Sequence, residues 1–301
     1  MPSGNRKLAM ANGRCLLNLV FPVVQQCCSG RIYKLRNEGC MNKLQLNLSG
    51  KEVIVFGAAR GIGRATGLAF FDEGCRVTGV DVIKPDAEVD DGRIEYVVGD
   101  VTSTDAIAKI CEANPSIEHI VFSVGIGSGV LGFPFWNLDP SSWCRVMEVN
   151  LIGAVNVATA FAPKFAEKKR GTFLFLVSVA GQIGSQTDPP YSAAKAGLIN
   201  FTQCAARDLA PYGVRANALS PGMVKTELNR SVWQAGQTDD GESLADSYEQ
   251  WAEAKLQRVC PMERWQTAEE CAAMAVFLAS DHARNITGQT INIDGGQVMH
   301  S

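Results

Sequence analysis

The sequence predicts a single doubly wound α/β domain, in which a seven-stranded parallel sheet has helices on both faces. From residue 51 onward, short runs rich in β-branched residues alternate with longer stretches of helical period, which is the pattern of consecutive β-α-β units. The apolar runs are also nearly continuous, as expected for parallel strands that are buried on both sides.

The predicted strands occupy residues 52–56, 76–80, 94–98, 119–123, 172–178, 214–219 and 290–293. The predicted helices occupy residues 61–73, 103–113, 140–167, 191–210 and 267–279. Right-handed crossovers between parallel strands place these helices on the two faces of one sheet. A polar stretch near residues 227–260 interrupts the alternation, and we expect an insertion with some helix, either a substrate-binding loop or an ordinary surface excursion.

Composition excludes several classes of protein. A chain of 301 residues that is 46% hydrophobic is long enough for one large core and short for two. The net charge of −3, with no basic stretch beside aromatic residues, argues against nucleic acid as a partner. The three histidines lack the spacing of metal ligands, so no metal is predicted. Five cysteines scattered through apolar helical patterns are predicted to be buried, reduced thiols: Cys75, Cys111, Cys144, Cys204 and Cys271.

The first 40 residues are basic, unlike the acidic remainder. Their apolar run at 16–24 contains Asn18 and Pro22 and is too short to span a bilayer, so no membrane association is predicted. We expect residues 1–45 to be an extension ahead of a domain at 46–301. It is interpreted as a poorly ordered tail or the product of an early start codon before Met41 in a cytoplasmic protein, with an organelle transit segment as the alternative.

A glycine-rich loop follows the first predicted strand and leads into a helix. It reads Gly57-Ala58-Ala59-Arg60-Gly61-Ile62-Gly63. Small residues let the backbone approach a pyrophosphate, and the start of the helix supplies N–H groups and a favourable dipole. The loop therefore predicts dinucleotide binding by a Rossmann-type domain.

Two residues favour different dinucleotides. Asp81 ends the second predicted strand, where a carboxylate can bond the adenosine ribose hydroxyls and repel a 2′-phosphate, which favours NAD. Arg60 could neutralise that phosphate and favours NADP. We give Asp81 more weight, although Asp is also common in turns at strand ends. Asp100 and Val101, after the third strand, either contact the adenine or cap the helix near Ser103.

Tyr191 and Lys195 are four residues apart on a predicted helix, so phenol and ammonium share one face. A phenol has a reference pKa of about 10, and a nearby cation would lower that pKa toward neutrality and make the phenol an acid/base group. The structural alternative is a tyrosine on the buried face with a lysine that extends to solvent.

Further motifs follow in order along the chain. They are Asp100-Val101, Val149-Asn150-Leu151-Ile152-Gly153, Val177-Ser178, Tyr191-x-x-x-Lys195, Pro221-Gly222-Met223-Val224-Lys225-Thr226 and Ile291-Asn292-Ile293-Asp294-Gly295-Gly296. With them the chain resembles the short-chain dehydrogenase/reductase family over roughly residues 48–301.

The resemblance implies a catalytic group of four residues. Tyr191 would exchange a proton with the substrate oxygen, Ser178 would bond that oxygen, Lys195 would tune Tyr191 and bind the nicotinamide ribose, and Asn150 would hold a relay water. The predicted cofactor contacts are Gly57, Arg60, Gly61, Ile62, Gly63, Asp81, Asp100, Val101, Gly125, Tyr191, Lys195, Val224 and Thr226. Individually, Ser178 could end a strand, Asn150 could bond a helix and Thr226 could be an N-cap.

The chain departs from the family at residues 122–125, where Phe-Ser-Val-Gly replaces the usual Asn-Asn-Ala-Gly and lacks the amides that in the family brace the central sheet and border the adenosine. Substrate identity depends on the loops at 127–136 and 182–190 and on the insertion. We expect a partly apolar pocket for a secondary alcohol or ketone, with Lys225, Arg230 and Arg264 as the candidates for binding a substrate carboxylate.

The leading hypothesis is an NAD-dependent oxidoreductase. The alternatives are an NADPH-dependent 3-oxoacyl reductase and a non-catalytic nucleotide-binding regulator. By analogy with the family, the apolar helices at 140–167 and 191–210 and the last strand predict a homodimer or homotetramer.

Overall fold

Seven parallel strands form the sheet that positions the functional residues. The computed structural model describes residues 45–86, 90–130, 135–184, 188–235 and 247–299. The strands are β1 (Glu52–Phe56), β2 (Arg76–Asp81), β3 (Glu95–Val98), β4 (His119–Phe122), β5 (Gly171–Leu176), β6 (Val214–Pro221) and β7 (Thr290–Ile293). Their order across the sheet is β3-β2-β1-β4-β5-β6-β7. The predicted doubly wound α/β fold is confirmed.

The helices connect successive strands. They are α1 (Gly61–Asp72), α2 (Thr104–Ala113), α3 (Ser141–Met147), α4 (Gly153–Lys168), α5 (Pro189–Leu209), α6 (Glu227–Ala235), α7 (Tyr248–Val259) and α8 (Ala268–Ala279). The chain winds outward in both directions from β1 and β4, which pair with each other at the centre of the sheet. Such a change of winding direction leaves a crevice at the carboxyl ends of the central strands.

The core consists of two apolar layers, one on each face of the sheet. Alternate side chains of β1 enter opposite layers, because successive residues of a strand point to opposite faces. Ile54 and Phe56 belong to the layer that includes residues of α2, α4 and α5. Val53 and Val55 belong to the layer that includes residues of α1 and α8. Burial on both faces explains why β1 is apolar from Val53 to Phe56.

The predicted helix at 140–167 is divided by a π-helical segment at Glu148–Ile152, between α3 and α4. Taken as one stretch, Ser141–Lys168 is long and apolar enough to cross a membrane, since an 18-residue window within it has a mean hydropathy of 1.3. Core helices of soluble proteins meet the same criterion, and in this fold Phe161 and Phe165 of α4 are fully buried in one core layer.

The predicted burial of the cysteines is correct for Cys75, Cys111 and Cys271, and wrong for Cys144 and Cys204, which are exposed. All five are free thiols. The exposed pair lies on α3 and α5, where small apolar residues occur on more than one side of the helix. Helical period alone therefore did not identify the buried face.

The predicted insertion contains α6 and α7, and Tyr248 of α7 packs at 5.9 Å from Trp233 and 6.0 Å from Trp251, measured between ring centroids. Residues 236–246, with the Asp-Asp-Gly run at 239–241, lie outside the described residues. So do residues 1–44, and the predicted extension stays a prediction.

Candidate active site

A crevice of about 840 Å³ opens at the carboxyl ends of the central strands and contains most of the predicted cofactor residues. Those that line it are Gly57, Arg60, Gly61, Ile62, Gly63, Asp81, Asp100, Val101, Gly125, Tyr191, Lys195 and Thr226. Val224 does not line the crevice; it is buried and forms a backbone bridge with Gln266. The structure thus brings the glycine loop and the Tyr191–Lys195 pair into one cavity.

The glycine loop passes so close to neighbouring backbone that side chains would not fit. Gly57 has a φ of +81°, and a Cβ there would lie 2.8 Å from the carbonyl carbon of Ser123. A Cβ on Gly63 would lie 1.9 Å from the Gly57 carbonyl oxygen. The side chain of Arg60, the N-cap of α1, makes no capping bond. The first amides of α1 therefore have no side-chain acceptor there, and this fits a phosphate-binding cradle.

Asp81 is fixed at the edge of the crevice by two backbone amides. Its Oδ2 accepts a hydrogen bond from Ala59 N at 3.0 Å, and its Oδ1 accepts one from Val82 N at 2.8 Å. The bond to Val82 is the turn contact expected of a strand-end aspartate, whereas the bond to Ala59 ties the carboxylate to the glycine loop. The negative charge therefore has a defined place beside the predicted phosphate site.

Two of the structural alternatives are resolved by hydrogen bonds. Asp100 does not cap α2, because Ser103 does so by accepting from Ala106 N at 3.2 Å. Asp100 instead accepts from the amide and hydroxyl of Thr102, and these bonds lower the pKa of the carboxyl. Thr226 lines the crevice and also accepts from Asn229 N at 3.4 Å, the N-cap geometry of α6.

Lys195 is 2% exposed, and its Nζ donates to the Leu176 carbonyl at 2.8 Å and to the Val124 carbonyl at 3.4 Å. Burial lowers the pKa of Lys195 to about 7. The Nζ atom is 5.6 Å from the ring centroid of Tyr191. Lysine and tyrosine thus share one helix face, as predicted, but the lysine does not extend to solvent.

Burial raises the pKa of Tyr191 to about 12, against the effect of a hydrogen bond with Ser178, which lowers it. The direction is opposite to the predicted lowering by Lys195. The reason is that loss of hydration disfavours the phenolate, while the buried lysine is itself only partly charged near neutral pH. Ser178 is two residues beyond the end of β5, so the predicted strand at 172–178 ends earlier than expected.

Asn150 is fully buried in the π-helical segment and does not line the crevice. Its Oδ1 accepts from Ile126 N and its Nδ2 donates to the Ile126 carbonyl, both at 2.8 Å. The amide thus braces the loop after β4 instead of bonding a helix. A Cβ on Gly125 would lie 3.3 Å from Lys195 Nζ and 3.9 Å from Asn150 Oδ1, so both groups meet at Gly125.

The departure from the family at residues 122–125 leaves this region well packed. Ser123 N donates to the Phe56 carbonyl at 2.8 Å, and the backbone of Ser123 is in contact distance of the tight turn at Gly57. The Val124 carbonyl accepts from Lys195. Backbone groups of residues 123 and 124 therefore link β1, β4 and Lys195 of α5 without the usual amide side chains.

Sequence reasoning missed Asp188. This carboxylate is 7% exposed and caps α5, with Oδ1 accepting from Tyr191 N at 3.3 Å. Its Oδ2 accepts from Ser128 N at 2.8 Å, which ties the loop after β4 to the start of α5. Its charge also contributes to the raised pKa of Tyr191. The signal was Asp followed by two prolines, an N-cap pattern that places the helix start at Pro189 and not at Tyr191.

Other crevice residues were also missed as site residues, among them Arg145, Glu227 and Gln234. Among the residues that the structure describes, no three His, Cys, Asp or Glu side chains cluster as metal ligands. Tyr191 and Lys195 are two groups of this crevice that can donate a hydrogen bond to a substrate oxygen.

Comparison with known proteins identifies the family. A family model described as enoyl-(acyl carrier protein) reductase matches residues 57–298. The chain is 32% identical over 265 residues to 3-oxoacyl-(acyl-carrier-protein) reductase FabG of Thermotoga maritima, covering 84% of this chain and 100% of that protein. It is also 32% identical over 262 residues to NAD-dependent glycerol dehydrogenase of Listeria innocua, covering 84% and 96%.

Among solved structures, the aldohexose dehydrogenase of Thermoplasma acidophilum superimposes with a TM-score of 0.74 at 27% identity, covering 85% of this chain and 97% of that one. The chain belongs to the short-chain dehydrogenase/reductase family. It is an oxidoreductase that transfers hydride between a nicotinamide cofactor and a small-molecule substrate.

Proposed function

We propose that this protein is an NAD-dependent dehydrogenase that interconverts secondary alcohols and ketones. The observation that carries the proposal is that Tyr191, whose pKa the nearby Ser178 side chain acts to lower, lies in the same crevice as the glycine loop. The closely packed turn at Gly57 and Gly63 and the uncapped start of α1 fit a dinucleotide pyrophosphate. When bound, the nicotinamide supplies or accepts the hydride.

The side chains handle the proton. Tyr191 passes it to or from the substrate oxygen, and Ser178 holds that oxygen by a hydrogen bond. Because burial raises the pKa of Tyr191 to about 12, the phenol is protonated at neutral pH and ready to donate to a ketone. In alcohol oxidation the proton passes from the substrate oxygen to Tyr191. A higher pH favours this direction because it increases the deprotonated fraction of the phenol. Lys195, with a pKa of about 7, can accept or release a proton beside Tyr191. Asn150 positions the loop that borders Lys195.

The preference for NAD is supported by Asp81, whose carboxylate is fixed by Ala59 N and Val82 N. The Asp81 carboxylate would repel a 2′-phosphate at this place, because its two backbone hydrogen bonds hold it in a fixed orientation. The name of the Listeria innocua relative, NAD-dependent glycerol dehydrogenase, agrees with this preference. Arg60, which also lines the crevice, and the similarity to FabG favour the second candidate, an NADPH-dependent 3-oxoacyl reductase.

One set of rate measurements separates the candidates. Purified protein is given secondary alcohols, cyclic diols and sugar acids with NAD⁺ or NADP⁺, and NAD(P)H absorbance is followed. We expect turnover with NAD⁺ and a higher kcat/KM than with NADP⁺, and we expect Asp81→Asn to reduce that ratio. A higher kcat/KM with NADP⁺, unchanged in Asp81→Asn, would contradict the proposal. Reduction of a 3-oxoacyl thioester by NADPH alone would establish the second candidate.

We also propose a cytoplasmic homo-oligomer. Ile152, at the junction with α4, is 48% exposed, and Met299 after β7 is 77% exposed. Large apolar side chains in these places are consistent with interfaces along the long helices and the last strand. Sedimentation should give a dimer or tetramer, and a stable monomer would contradict this part. Fractionation of cells, with N-terminal sequencing of the natural protein, tests the location.

A further inference from the structure

One wall of the crevice comes from the segment after β6 and from α6 and α7. Its members are Lys225, Glu227, Arg230, Gln234 and Tyr248, which we call the α6–α7 wall. The wall borders the same cavity as Tyr191 and is separate in sequence from the glycine loop. A substrate that reaches Tyr191 therefore shares its cavity with these side chains, and their chemistry selects what enters.

The guanidinium of Arg230 stacks on the buried ring of Tyr248. Its guanidinium carbon lies 4.7 Å from the centroid of the Tyr248 ring. Tyr248 is 3% exposed and its hydroxyl donates to Asn229 Oδ1 at 3.2 Å. Trp233 and Trp251 pack against the same ring. A guanidinium that stacks on a ring keeps the N–H donors at its edges free, and these match the two oxygens of a carboxylate.

Arg230, together with Lys225, is one of the two cations in the wall. Among the described residues no carboxylate forms an ion pair with it, whereas Arg145, elsewhere in the crevice, pairs with Glu148 at 2.7 Å. Of the other two candidates from the sequence, Arg264 pairs with Glu270 at 2.6 Å and does not line the crevice. Lys225, like Arg230, forms no ion pair among the described residues, and its Nζ is 6.0 Å from the centroid of the Trp265 ring.

We propose that Arg230 binds a carboxylate of the substrate, so that the enzyme acts on hydroxy acids and oxo acids in preference to neutral alcohols. This inference rests on the proposed function, because the hydroxyl-bearing carbon must be at Tyr191 while the carboxylate is at Arg230. A neutral substrate would gain no binding energy from an ion pair, since it carries no negative charge to pair with the guanidinium.

The test compares a short 3-hydroxy carboxylate with its methyl ester, which has the same reacting carbon and no charge. Both are assayed with NAD⁺ on the whole protein and on Arg230→Gln and Arg230→Lys. The matched control is Lys255→Met, which removes another cation stacked on a ring of α7, at 4.6 Å from Trp251, but outside the crevice wall. Binding of the carboxylate to the enzyme–NADH complex is measured separately by calorimetry, and melting curves check folding.

We expect Arg230→Gln to lower kcat/KM for the carboxylate by about tenfold or more, mainly through KM, and to leave the ester unaffected. Arg230→Lys should recover part of the loss, and Lys255→Met should change neither substrate's kcat/KM. Carboxylate binding to the NADH complex should be lost in Arg230→Gln even if turnover is slow.

Two results would overturn the inference. Equal losses for both substrates together with weaker NADH binding would place Arg230 on the cofactor phosphates. Calorimetry that shows equal carboxylate binding in the parent and Arg230→Gln would also refute it, whether or not turnover is detected. Absence of turnover with every alcohol, with Arg230-dependent carboxylate binding intact, would count against the proposed reaction and in favour of the carboxylate site.

Discussion

Burial of the ionisable side chain of Lys195 lowers the folding stability by an amount that depends on pH. Burial lowers its pKa from 10.5 to about 7. Between these two values the unfolded chain binds the proton and the folded chain does not, so the stability of the folded protein rises with pH across this interval. At about 1.36 kcal/mol for each tenfold change in proton affinity, the full effect is about 5 kcal/mol.

Replacing Lys195 with Met removes this pH dependence and retains most of the side-chain volume. The variant also loses the hydrogen bonds to the carbonyls of Leu176 and Val124, which are worth about 1 kcal/mol each at any pH. We therefore expect Lys195→Met to be more stable than the parent at pH 7 and less stable near pH 10, while its dehydrogenase activity is lost.

The assay is urea unfolding of the parent and of Lys195→Met at several pH values between about 6.5 and 9.5, without cofactor. Lys109→Met, at an exposed position of α2, controls for the loss of one positive charge. The difference in unfolding free energy between parent and Lys195→Met should change by several kcal/mol over this range. A difference that stays constant with pH would show that Lys195 keeps an ordinary pKa in the folded protein and would refute the reasoning.

Three further predictions follow from other residues of the structure. Asp188→Asn keeps the acceptor for Tyr191 N and removes a charge that raises the pKa of Tyr191, so the pH profile of alcohol oxidation should move toward lower pH; an unmoved profile would exclude this electrostatic role. Gly63→Ala places a Cβ 1.9 Å from the Gly57 carbonyl oxygen, so NADH binding in a fluorescence titration should weaken at least tenfold; retained affinity would contradict the tight loop. Burial lowers the pKa of His119 to about 4, so stability should be full above about pH 6.5 and fall by roughly 3 kcal/mol as the pH drops toward 4; His119→Gln should flatten this dependence in urea unfolding, and an identical slope would count against it.

Elements whose identity depends on local sequence could be predicted well. The strands at 52–56 and 290–293 coincide with β1 and β7. For β1 the reason is that a buried parallel strand is a compact apolar run, whereas β7 alternates isoleucine with polar residues at the edge of the sheet. The glycine loop could be placed because its conformation depends on residues that lie next to each other in the chain. The order of catalytic motifs identified Tyr191 and Lys195 on one face of α5.

What could not be predicted depends on tertiary contacts. Asn150 lies in the π-helical segment and bonds Ile126, a residue of the loop after β4. The helical period of the sequence around Asn150 does not reveal this contact. The raised pKa of Tyr191 follows from burial, which the spacing of Tyr191 and Lys195 does not encode. Asp188 was not predicted as a site residue, because its hydrogen bond with Ser128 is a tertiary contact between residues 60 positions apart in the chain.

The proposed reaction depends on Tyr191, which performs the proton transfer that accompanies hydride transfer. Its direct test is kcat/KM for the best alcohol with NAD⁺ in Tyr191→Phe, together with NADH affinity by fluorescence. Tyr212→Phe, which removes a phenol hydroxyl at a residue that is 47% exposed, is the control. We expect a loss of kcat/KM of about 100-fold or more in Tyr191→Phe, with NADH affinity retained and the control unaffected. Activity in Tyr191→Phe close to that of the parent would contradict this role of Tyr191.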